Sequence, residues 1–128
     1  MNVWFAYFKD VEVFIMKPEV EPATYESIDA RISRRFPIRH VLIYKWEFDK
    51  AKSWEDVKRI MSRYYYWIEA EDGSVVFTAP VKPTVIGILR KNGELIVINM
   101  DKHYSLHKLE GVGKKYIEKN TGLKLKKV

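Results

Sequence analysis

The chain has no cysteine. Disulfides, thiolate zinc sites and cysteine nucleophiles are excluded together. No apolar run approaches the roughly 18 residues of a membrane span, and the first residues lack the basic start, unbroken apolar stretch and small-residue cleavage site of a secretory leader. The expectation is an intracellular, cytoplasmic protein with no membrane partner. There is no Gly-Lys-Ser/Thr nucleotide loop, no Gly-x-Ser-x-Gly elbow and no His-Glu-x-x-His helix, so the residues name no catalytic group and no cofactor. Internal repeats, low-complexity tracts and long linkers are also missing.

What is present is a folding composition with a local excess of charge. The 128 residues are 47% apolar, 14% aromatic and 31% charged. A chain of this size buries roughly two-thirds of its unfolded surface, so one domain over 1–128 is expected. High charge with abundant Ile, Val, Tyr and Lys resembles hyperthermophile usage. The net charge is +6. Residues 101–128 carry eight lysines against Asp101, Glu110 and Glu118, which places +5 of that total in a basic, mainly helical C-terminal segment packed on the rest or appended to it.

Apolar alternation over 2–17 predicts strand, either as a hairpin turning at Lys9-Asp10 or as one long bent strand. Tyr25, Ile28 and Ile32 share one helical face and predict a helix over 24–35. A strand over 38–48 follows. Ser53 with Asp56 three residues on forms a capping box for a second helix, whose inner face would carry Trp54, Val57, Met61 and Tyr64. Asp72-Gly73 and Asn92-Gly93 each lie between β-rich runs and predict two hairpins, separated by Pro80 and Pro83, in a four-stranded meander. The last segment reads as helix to Asn120, with Gly122 as its C-cap. The class is therefore α+β: a mostly antiparallel sheet of hairpins, two inserted helices and a C-terminal helix.

The candidate site lies at Leu106-x-x-Leu109-x-Gly111-Val112-Gly113-Lys114-Lys115. A Gly-apolar-Gly turn before a helix can aim backbone N–H groups at an anion, reinforced by the helix dipole. These 15 to 20 residues resemble the helix-hairpin-helix family of non-sequence-specific DNA-binding elements. Glu110, Ile117 and Asn120 stand where that family commonly has proline, alanine and an apolar residue. The resemblance implies phosphate contact by Gly111, Val112 and Gly113 with Lys114 and Lys115 beside them, and Lys108 and Lys119 extend the basic surface. Arg31, Arg34 and Arg35 form a second basic reservoir near aromatic residues that suit phosphate contact and base stacking.

Other constellations are thinner. Lys58-x-x-Met61-x-x-Tyr64-Tyr65 resembles the peptide by which replication proteins bind the sliding clamp, but sits in a capped helix. His103 and His107 with Asp101 have the spacing of a partial metal site, with His40 far away in sequence. Glu47 and Asp49 can in principle hold a hard cation for phosphodiester cleavage. The leading expectation is a small non-catalytic nucleic-acid-binding protein of low sequence specificity, DNA ahead of RNA. The alternatives are an adaptor with a protein partner and a metal-dependent nuclease.

Overall fold

A computed structural model describes residues 3–8, 11–16, 39–69 and 73–128. Strands β1 (Val3–Phe8) and β2 (Val11–Met16) pair antiparallel with Phe8 opposite Val11, so of the two arrangements expected for 2–17 the hairpin is the one found. The helix expected over 24–35, with Arg31, Arg34 and Arg35, lies outside the described residues.

Six further strands make one antiparallel sheet in the order β4-β5-β6-β7-β3-β8. They are β3 (His40–Phe48), β4 (Tyr66–Glu69), β5 (Val75–Ala79), β6 (Lys82–Leu89), β7 (Glu94–Asn99) and β8 (Leu123–Lys127). Together with the helices below, this is the expected α+β class. The meander β4 to β7 follows the turn chemistry, with Gly73 at φ 84° and Gly93 at φ 98°. At the second turn Arg90 N–H donates to the Glu94 carbonyl at 2.9 Å, leaving a three-residue loop that ends in a left-handed glycine rather than a two-residue Asn-Gly turn. Pro80 lies between the β4–β5 and β6–β7 hairpins, as expected. With Val81 it closes a tight turn, Ala79 opposite Lys82 beside a bulge, and Pro83 lies inside β6.

Helix α1 (Trp54–Met61) starts as its sequence dictates: Asp56 N–H donates to the Ser53 hydroxyl and Lys52 N–H to the Asp56 carboxylate. It ends at Met61. Tyr64 therefore lies beyond the inner helical face and is exposed, whereas Val57, Met61 and Tyr65 are buried, and Trp54 and Trp67 are half-buried against the core. The clamp-peptide pattern thus has Met61 and Tyr65 in the core.

The C-terminal segment belongs to this fold and is no detachable appendix. Ser105 caps a helix that runs through α2 (Leu106–Lys108), a π-helical turn (Leu109–Gly113) and α3 (Lys114–Thr121). Leu109, Gly113 and Ile117 face the sheet and are buried. Gly122 then reverses the chain at φ 73°, as expected of the C-cap, and its carbonyl accepts Ala51 N–H at 3.0 Å. The chain does not end in helix: β8 follows, Leu123 and Leu125 entering the core beside Trp46 and Tyr44.

The core has two sides. Rows Val75-Leu89-Leu95-Tyr44 and Phe77-Gly87-Val97-Leu42 face the helices. On the opposite face Val76, Ile86, Ile88, Ile96 and Ile98 are equally buried, which explains why β5 and β7 read as continuous apolar runs rather than alternating ones.

Candidate nucleic-acid interface

The turn expected at Gly111-Val112-Gly113 is absent. The backbone is right-handed helical on both sides, at φ −65° for Lys108 and −61° for Gly113, and Lys114 N–H donates to the Leu109 and Gly111 carbonyls. The reason is the spacing of Leu109, Gly113 and Ile117, which keeps one face against the sheet and makes continued winding bury more than a turn would. The π-helical turn absorbs one extra residue between the two α segments. Val112 is left 71% exposed, and the hairpin by which backbone N–H groups would reach a phosphate is not formed.

The lysines remain available. Lys108, Lys115 and Lys119 are exposed on the helix, Lys114 is half-buried, and none of the four makes an ion pair among the described residues. The nearby carboxylates are engaged elsewhere. Glu110 pairs with Lys127 at 3.2 Å, and Glu118 accepts Leu125 N–H at 3.0 Å, sealing part of the free edge of β8.

The structure adds lysines that the helix motif did not include. Lys124 and Lys126 are exposed on the sheet face opposite Leu123 and Leu125, and Lys126 stands in register with exposed Lys45 on β3. Carboxylates share this face: Glu94 on β7 is in register with Lys45 from the other side, and Glu47 is in register with Lys124. The sequence signal was the alternation Leu123-Lys124-Leu125-Lys126, which places every second residue on one face. The basic groups therefore flank the β8 edge from the helix side and from the opposite sheet face.

The other candidates do not converge. His103 and His107 are exposed; His103 N–H and the Lys82 ammonium both donate to Asp101, at 2.8 and 3.1 Å. These bonds, the His103 N–H first, hold the Asp101 carboxyl below its ordinary pKa. The His40 ring meets Asn99 at 3.0 Å instead. Glu47 and Asp49 are exposed, with Glu47 in register with Lys124. Among the described residues no group of three potential metal ligands forms, and no helix is long and apolar enough to cross a membrane.

Comparison of the chain with protein-family models, with curated proteins and with solved structures found no match.

Proposed function

We propose that the protein binds nucleic acid, DNA ahead of RNA, through the phosphate backbone and with low sequence specificity. One observation carries the reading: exposed Lys108, Lys115, Lys119, Lys124 and Lys126 make no ion pair among the described residues, while Glu110 and Glu118 are engaged by other groups. Unneutralised ammonium groups around one edge create a positive potential that a polyanion relieves by releasing its counterions. The contacts come from side chains, because the Gly111–Gly113 backbone is committed to the helix.

The test is a binding series on random duplex DNA, single-stranded DNA and RNA across salt, with wild-type protein and Lys115→Glu/Lys119→Glu. Binding should weaken alike for all sequences, and the log-log salt slope should fall by about one unit for each phosphate-binding lysine removed. An unchanged affinity and slope in the folded double variant would overturn the assignment of these lysines. Absence of salt-dependent binding by the wild-type protein would overturn the function.

A further inference from the structure

A cavity of about 200 Å³ lies between helix 106–121 and strands β5 to β7. Its origin is local. Phe77, Gly87 and Val97 are consecutive cross-strand partners and form the floor, while Leu109, Gly113 and Ile117 form the wall. Two positions without side chains, Gly87 on the sheet and Gly113 on the helix, thus line the same space. Neither glycine has the positive φ that demands glycine. Each instead admits an aromatic side chain: a Cβ at Gly87 would collide with the Phe77 ring, and one at Gly113 would stand 3.0 Å from Tyr104 Oη.

The geometry points to a binding site for a small uncharged aromatic molecule of one or two rings. The volume is large enough for a ring, exceeding the roughly 150 Å³ of an apolar protein cavity that accepts benzene, and the exposed Val81 and Val112 on the lining open it to solvent. Four lining residues, Tyr65, Phe77, Tyr104 and Tyr116, carry aromatic rings, which suits edge and face contacts with another ring. Charge decides against an anion. The Lys82 ammonium, the one such group among the described lining residues, is paired with Asp101 at 3.1 Å and stands 4.7 Å above the Tyr104 ring. Thr78 is also a lining residue, and its hydroxyl is committed to the Val85 carbonyl at 2.7 Å. The site therefore offers ring contacts together with one buried polar group that has no hydrogen-bond partner among the described residues, the Tyr65 hydroxyl, and mostly apolar walls with few polar groups are the usual make-up of a small-molecule pocket.

The experiment is titration of the full-length protein with indole, followed by NMR of its aromatic and methyl groups, with benzoate as the charged comparison. Saturable shifts confined to groups such as Phe77, Val97, Tyr104 and Ile117 are expected, with benzoate at least tenfold weaker. Ala79→Leu, which adds bulk at the lining, should weaken indole at least tenfold. No saturable shift up to the solubility of indole overturns the site, as do shifts that map elsewhere or undiminished binding by a folded Ala79→Leu protein. Benzoate binding as tightly as indole overturns the uncharged class. Should Ala79→Leu not fold, the wild-type shift map and the benzoate comparison decide alone.

Discussion

The Phe77 ring lies across the backbone of Gly87, its direct partner on the neighbouring strand, closely enough that not even a methyl group fits beneath it. Glycine is ordinarily a weakness in a strand, because it contributes entropy to the unfolded chain and nothing to packing. Here it supplies the space that a buried aromatic occupies. Gly87→Ala should force Phe77 off its rotamer or push β5 from β6, at a cost of about 1–3 kcal/mol, typical of overpacking. Urea denaturation measures it; a wild-type midpoint would show that the ring moves freely.

Two other glycines should respond with opposite signs. Gly111 is helical and exposed, with nothing within 4 Å of an added Cβ, so Gly111→Ala should raise stability by roughly 0.5–1 kcal/mol. Gly122 has φ +73°, and a Cβ there would stand 2.7 Å from Ala51 N. Gly122→Ala should therefore destabilise by more than about 1 kcal/mol. A destabilised Gly111→Ala protein would restore the turn at 111–113 that the helix replaces.

Acid should weaken the Asp101 junction. Its folded-state pKa is depressed, chiefly by His103 N–H and then by Lys82 and Thr84, so the charged form is favoured on folding. The resulting stability is complete above the unfolded Asp value near 4 and is lost as the pH falls from there through the lower folded value. Asp101→Asn should be less stable than wild type at pH 7, the gap narrowing below about pH 4. Chemical denaturation at pH 7, 4 and 2.5 tests this; a constant gap would mean that the titration contributes nothing.

Much of the fold was legible because local chemistry specified it. Ser53 and Asp56 fixed the start of α1, and glycines at 73, 93 and 122 marked reversals that the structure contains. The neighbours of β3 were hidden, since its partners β7 and β8 begin some 50 and 80 residues later and no local signal encodes that adjacency. β8 is hard to read locally because three lysines in five residues mark surface, although Leu123 and Leu125 alternate with them. At 109–113 the two glycines suggested a turn, while the more informative signal was the four-residue spacing of Leu109, Gly113 and Ile117. Of the candidate site, the lysine excess was countable. Which lysines are left unneutralised depends on Glu110 reaching Lys127 and Glu118 reaching Leu125, contacts that only the folded chain creates.

The placement of β3 between β7 and β8 also sets an order of events in time. Strands β4 to β7 are joined by short reversals and can assemble within their own stretch of chain, whereas β3 must wait, through long loop closures, for partners that emerge after it. The final docking of β8 closes the sheet and seats helix 106–121 over Phe77 and Gly87. In a refolding experiment monitored by pulsed hydrogen exchange, amides of β5, β6 and β7 should gain protection before those shared by β3 and β8, so that the segment with the greatest positive charge is the last to acquire its native surroundings.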